Sequence, residues 1–339
     1  MAGLPLRVGL CGDFRAADGS PAFDAVALAW LREAPGVEVE LLARPAGAPV
    51  ERADAERFDA LIIKRNRVDA AVLAAPLRLR LLARNGVGHD HIDVPACTRA
   101  GVLVTITPGA VARPVASSVL ALMLALSHRL LERDRRTRAG QWSRRWDDPG
   151  MGLTGRTLGV VGLGNIGCEV LRLAAPWRMR HLGYAPRPRP ERYAGLGVEL
   201  VALDALLARS DVVALCCPLN EDTRGMIDAR ALALMQPHAL LVNTARGELV
   251  DERALVEALR ARRLGGAGID VYAQEPPAPD HPLFALDNVI LGSHNLAHTD
   301  ELNAAANRSV ARAVLAVAAG QVPEGVLDAS AHAHPRWCA

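Results

Sequence analysis

The stretch Thr157-Leu158-Gly159-Val160-Val161-Gly162-Leu163-Gly164-Asn165-Ile166-Gly167 reads as a short buried strand running into a glycine-studded turn and then a helix. Each glycine of this G-x-G-x-x-G spacing has its own task. Gly162 permits the tight turn, Gly164 lets backbone approach a pyrophosphate with no Cβ in the way, and Gly167 lets the helix pack close to the strand. The helix opening at Asn165 and Ile166 points unpaired N–H groups at an anion. Apolar or glycine residues precede the motif, and no breaker follows until Pro176. The segment is therefore expected to cradle a dinucleotide.

Working outward, strand-length apolar runs alternate with helical patterns on both sides of this motif, the signature of parallel sheets covered by helices. After the motif, strands are expected at 181–184, 212–216, 239–243, 267–271 and 289–291, with helices at 203–208, 229–235 and 252–262. Before it, strands are expected at 6–10, 37–42, 60–63, 79–83 and 102–105, with a first helix at 23–34. Residues 115–138 read as one long connecting helix, and 140–152 as an irregular arm carrying Trp142 and Trp146. A last helix at 301–319 returns to the first unit, and the tail 329–339 is expected to be mobile. The predicted class is α/β with two doubly wound parallel-sheet domains. A Rossmann domain at 112–297 is inserted in a flavodoxin-like, substrate-binding domain at 1–111 plus 298–339.

A chain of 339 residues, half of them hydrophobic, can build two such cores. The net charge of +2 and the 4% aromatic content, with no basic run interleaved with aromatics, argue against nucleic acid as a partner. The six cysteines form no C-x-x-C pair, which fits reduced thiols in a cytoplasmic protein and no zinc site. The N-terminus lacks the order of a signal peptide, and the apolar part of the connecting helix, 115–126, is expected to be too short to span a bilayer. His89 and His91 lack an accompanying carboxylate or cysteine cluster, so no metal site is expected.

Ligands of open parallel sheets bind beyond the carboxyl ends of the strands. Three polar residues occupy such positions: Arg246 after the strand ending at Asn243, Glu275 after the one ending at Val271, and His294 after the one ending at Leu291. Together they supply what hydride transfer to a carbonyl needs. A guanidinium anchors a substrate carboxylate, an imidazole moves the proton, and a carboxylate beside the imidazole favours its charged form. Lys64, Arg65 and Asn66 follow the third strand of the first unit, and Arg113 is similarly placed. Arg65 facing the ligand would indicate a second anionic group on the substrate.

With these residues the chain resembles the D-isomer-specific 2-hydroxyacid dehydrogenases. The resemblance runs from Arg84-Asn85-Gly86-Val87-Gly88-His89-Asp90 through Met151-Gly152-Leu153-Thr154-Gly155-Arg156-Thr157-Leu158-Gly159 to the His294 loop. It implies an oxidoreductase acting on a 2-oxo acid/D-2-hydroxy acid pair, with Arg246 binding substrate, His294 as acid/base and Glu275 paired to it. It also implies that the amides around Val87 and Gly88 take the substrate carboxylate, that Asp270 meets the nicotinamide amide, and that Cys217, Pro218, Thr244 and Ala245 contact the cofactor. A homodimer joined through the cofactor domain follows from it as well. In place of the family's usual aspartate, Ala185 stands 18 residues beyond Gly167, with Arg187 and Arg189 just after it. Of the two forms of NAD(P)H, this favours the 2′-phosphorylated NADP. Ser293, where proline is frequent, predicts a less rigid histidine loop. The rival reading is a dinucleotide-sensing, corepressor-like binding protein of the same fold.

Overall fold

In the computed structural model, which describes residues 5–337, the chain divides into two units. One runs to Val111 and resumes at Thr299; the other is Ala112–His298. In the first, β1 (Leu6–Leu10), β2 (Val37–Leu41), β3 (Ala60–Ile63), β4 (Leu81–Arg84) and β5 (Leu103–Thr105) form a parallel sheet in the order β2-β1-β3-β4-β5. This is the flavodoxin-like doubly wound order. Alternate residues serve opposite faces. Val8, Leu10, Ile62, Leu81 and Leu103 join a core with Val310, Val314 and Val317 of the helix Asp300–Ala318. Leu61, Ile63, Leu82 and Val104 join a second core with Phe58 and Leu79. Burial on both faces explains strands that are apolar at nearly every position.

In the second unit, β6 (Thr157–Val161), β7 (Arg180–Tyr184), β8 (Val198–Leu200), β9 (Val212–Leu215), β10 (Leu240–Asn243), β11 (Gly266–Ile269) and β12 (Val289–Leu291) follow in the chain. Their sheet order is β12-β11-β10-β9-β6-β7-β8, all parallel. Counted from β6 this is the Rossmann order with one strand added beyond β11. The winding direction reverses between β6 and β9, the switch point where such sheets bind ligands.

Several expectations need correction. The connecting helix is two helices, Pro108–Ser127 and Leu130–Arg138, broken at Arg129 with φ 51°. The Met151 amide takes the Ser127 carbonyl at 2.7 Å, and beyond that point the sequence turns from buried apolar to charged, with no buried residue in the second helix. The first helix also begins earlier than the expected residue 115, at Pro108, and holds Pro114 in its interior. At 20 residues it is long and apolar enough, by length and composition, to cross a membrane. Here Ala116, Val119, Leu122 and Met123 lie in the core of the second unit, and Leu122 abuts Gly268 of β11.

The edge strand β8 was not expected; its three half-buried or exposed residues carry little apolar signal. The tail, expected to be mobile, instead forms short helical turns at Ala329–Ala333 and Pro335–Trp337. Trp337 Nε1 donates to the Gly101 carbonyl at 2.8 Å, and its ring lies under the Arg80 guanidinium at 4.3 Å. Arg336 donates to the carbonyls of Leu77, Arg78 and Ala100, each at 3.1 Å. Scattered contacts of this kind leave no periodicity in a sequence. Cys338 and Ala339 lie outside the described residues.

Candidate active site

Beyond β6, Gly162 turns the chain with φ 100°, and a Cβ there would lie 2.7 Å from the Cys217 amide nitrogen. Its own amide donates to the Tyr184 carbonyl at the end of β7. The glycine thus lets the turn lie directly against the loop after β9, across the switch point. Gly167 is equally constrained, since a Cβ would stand 2.0 Å from the Gly162 carbonyl oxygen. At Gly164, which precedes the helix Asn165–Ala174, a Cβ would meet nothing within 4 Å. No side chain caps this helix N-terminus. The absence of a Cβ at Gly164 therefore serves no packing need, and the open cap leaves the Asn165 and Ile166 end for an anion. Among the described residues the buried Thr244 hydroxyl has no hydrogen-bond partner, a second place where the unit fits a bound group. Burial pushes the Cys217 thiol up to about 11, so the thiol stays neutral. Pro218 beside it is exposed. Ala185 follows the last residue of β7 and is half-buried, while Arg187 and Arg189 are exposed.

Arg246, Glu275 and His294 follow β10, β11 and β12, three neighbouring strands. His294 Nδ1 lies 2.7 Å from Glu275 Oε2, with the two side chains 42% and 38% exposed, accessible to a ligand yet in contact. The other oxygen, Oε1, accepts the Tyr272 amide at 3.2 Å. Burial works against ionisation of Glu275. The hydrogen bond and charge of His294, the Tyr272 amide and the Arg246 charge outweigh it, and hold the carboxyl below its ordinary range.

His294 has φ 57°, a left-handed conformation that a non-glycine residue keeps only when its surroundings hold it. The holding group is Asp270, 4% exposed. Its carbonyl accepts the His294 amide at 2.7 Å, and its carboxylate accepts the amides of Asn295 and Leu296 at 3.2 and 3.3 Å. Burial raises the Asp270 carboxyl above its ordinary range although these amides pull the other way. The Gly292 amide also donates to the Ile269 carbonyl at 2.8 Å, so backbone hydrogen bonds fasten the loop on both sides of Ser293.

Several supporting residues were not read from the sequence. The buried Asn243 side chain donates to the Arg246 carbonyl at 2.8 Å and accepts the Ala245 amide at 3.0 Å, which sets the turn that presents Arg246. Arg246 also donates to the Ala245 carbonyl at 2.7 Å. Gly247 allows this turn to lie on the backbone of Tyr272, and Gly292 sits on the Asp270 carboxylate, where a Cβ would be 2.2 Å from Oδ1.

The first unit holds the remaining candidates. Val87 and Gly88 lie half-buried beyond β4, in a turn fastened by Arg84 Nε donating to the Gly88 carbonyl at 2.8 Å. Arg65 lies beyond β3 with its side chain 70% exposed and its Nε 3.2 Å from Asp13. Arg113, in contrast, belongs to the second unit and pairs at 2.9 Å with Glu169 of the helix Asn165–Ala174.

Two doubly wound units of these topologies, one with a glycine cradle at its switch point, define a dinucleotide-binding class of α/β protein. Residues 120–295 match the family profile described as D-isomer specific 2-hydroxyacid dehydrogenase, NAD binding domain. The glyoxylate reductase of Korarchaeum cryptofilum is 40% identical over 274 residues, which is 80% of this chain and 82% of that protein. The D-3-phosphoglycerate dehydrogenase of Archaeoglobus fulgidus is 37% identical over 286 residues, 84% of this chain but 54% of that longer protein. Among solved structures, the TT0316 protein from Thermus thermophilus superposes with a TM-score of 0.83 at 35% identity, covering 95% of this chain and 100% of that one. The chain belongs to the D-isomer specific 2-hydroxyacid dehydrogenase family. With membership come a nicotinamide cofactor and the reaction class, dehydrogenation of 2-hydroxy acids.

Proposed function

We propose that the protein interconverts a 2-oxo acid and its D-2-hydroxy acid, with His294 as acid/base, Glu275 as its partner and Arg246 as anchor for the substrate. The observation that carries this reading is the 2.7 Å contact between His294 and Glu275, beside a strand end bearing Arg246. In the reductive direction the imidazolium gives its proton to the substrate's carbonyl oxygen, while the guanidinium stabilises the charge that develops there. Glu275 keeps the ring oriented and favours its protonated form. A nicotinamide bound there would supply or accept the hydride exchanged at the substrate's C2. Gly162, Gly164, Asn165, Ile166 and Gly167 would hold its pyrophosphate. Cys217, Pro218, Thr244 and Ala245 would line its path, and Asp270 would meet the carboxamide.

On the substrate side, Val87 and Gly88 are assigned to the carboxylate. Arg65 is assigned to a second anionic group, an arrangement supported by its exposed side chain. Arg113 must leave Glu169 before it can serve a substrate. The cofactor preference is NADP, supported by Ala185 at the ribose position and by the exposed Arg187 and Arg189 that follow it. The working assembly is a homodimer through the cofactor domain, in the cytoplasm, where the five described cysteines stay free.

One experiment tests the reading. NAD(P)H absorbance is followed with a panel of 2-oxo acids, with and without a phosphate or second carboxylate, for the natural chain and for His294→Ala. Turnover should be faster with NADPH than with NADH. The variant should lose about 10²–10⁴-fold in kcat while binding cofactor as before. Full turnover by His294→Ala would remove the histidine from its role.

A further inference from the structure

The loops after β10, β11 and β12 carry Arg246, Glu275 and His294, and one buried residue touches all three loops. Tyr272 is 6% exposed. Its hydroxyl donates to the Gly292 carbonyl at 2.8 Å, two residues before His294. Its amide donates to Glu275 Oε1 at 3.2 Å, while Oε2 meets His294. Gly247, next to Arg246, lies so close to it that a Cβ there would stand 1.9 Å from the Tyr272 carbonyl carbon.

The ring is held from behind. It meets His281 and Phe284 edge-on, with centroids 5.6 and 6.4 Å away. His281 is bound in turn to Glu252 at 2.8 Å, and the same carboxylate accepts the Ala273 amide at 3.2 Å. A tyrosine fixed in this way is a rigid strut.

The direction of the hydroxyl's bond gives the strut its meaning. The amides of Gly292, His294, Asn295 and Leu296 all tie the histidine loop to Ile269 and Asp270. Asp270 already lies past β11, and the hydroxyl bond adds a second tie between that loop and the same segment, from a residue whose amide binds Glu275. Together with the Asp270 bonds it bears on the separation of the two members of the pair. We propose that Tyr272 is a positioning residue for the reaction, its hydroxyl setting His294 at hydrogen-bond distance from Glu275. This inference rests on the reading of His294 as acid/base.

Tyr272→Phe keeps the ring and its contacts with His281 and Phe284 but removes the bond to Gly292. A small misplacement of an acid/base costs rate rather than binding. The variant's kcat for the best 2-oxo acid should therefore fall roughly tenfold. Its KM for that acid and its NAD(P)H dissociation constant should stay within about twofold, and its thermal midpoint within about 2 °C. His294→Ala, measured beside it, separates the two readings. If His294→Ala keeps its turnover, the acid/base reading fails and this one with it. If His294→Ala is inactive and Tyr272→Phe has the natural kcat, the positioning role alone is wrong. Losses spread evenly over kcat, KM, cofactor affinity and thermal midpoint would mark Tyr272 as an ordinary packing residue and overturn the proposal as well.

Discussion

Glu275 sits between opposing forces, and their sign sets its pH behaviour. Burial disfavours its charge, but His294, the Tyr272 amide and Arg246 together hold the carboxyl below its ordinary value of 4.5. A depressed carboxyl contributes stability that is fully present above that ordinary value and is lost as pH falls through the lower, folded one. The pair thus persists across the neutral range with Glu275 charged. Glu275→Gln keeps an acceptor but removes the charge that favours the imidazolium. Its rate of 2-oxo acid reduction, followed by NAD(P)H absorbance between about pH 5 and 9, should drop roughly tenfold. The loss should shrink as pH falls toward the depressed value of the carboxyl, where the natural chain sheds the same charge; a loss deepest in acid would contradict the pairing. Arg246, Glu275 and His294 were legible because their residue types stand just past apolar strands. Tyr272, Asn243, Gly247 and Gly292 were not. Tyr272 bonds across 20 residues to Gly292, and the need for glycine at 247 and 292 arises from backbone and side chains that another strand brings alongside.

Among the elements, the turn from β6 into its helix was legible because its three glycines have fixed spacing, yet they do different work. Gly167 is required by the fold: a Cβ would stand 2.0 Å from the Gly162 carbonyl, a backbone atom that cannot move aside cheaply. Gly164 faces open space with φ −85°, which alanine adopts freely. The two substitutions should therefore separate. Gly167→Ala should cost about 1–3 kcal/mol of stability in denaturant unfolding, as over-packing does. Gly164→Ala should unfold like the natural chain but bind NAD(P)H more weakly by fluorescence titration. Equal cofactor affinity in Gly164→Ala would mean that no phosphate approaches its backbone. The break at Arg129 was harder to read. The residues before it remain helix formers, and the Met151 amide that takes the Ser127 carbonyl lies more than twenty residues further along the chain.

At the scale of the whole molecule, the two sheet orders follow from an alternation visible in the sequence, whereas the assembly of chains depends on surface that folding leaves uncovered. Between the helix Pro108–Ser127 and β6, Leu130, Leu131, Trp142 and Trp146 are 55%, 47%, 67% and 81% exposed. Such a concentration of large apolar side chains in one stretch marks an interaction surface. Ala125, Leu126, Leu131, Met151 and Ile290 line a cavity of about 700 Å³ in the same unit. Tryptophans at interface centres commonly contribute about 2 kcal/mol or more each, so losing both should weaken self-association by on the order of a thousandfold or more. The natural chain should sediment as a dimer at micromolar concentration, and Trp142→Ala combined with Trp146→Ala should sediment as a monomer. Neither ring is buried in the single chain, so the variant's monomer should retain its fold by circular dichroism. Its thermal midpoint should lose the concentration dependence expected of the dimer. A natural chain that is monomeric throughout would sink the assembly, and a double variant that remains dimeric would place the contact elsewhere on the cofactor domain.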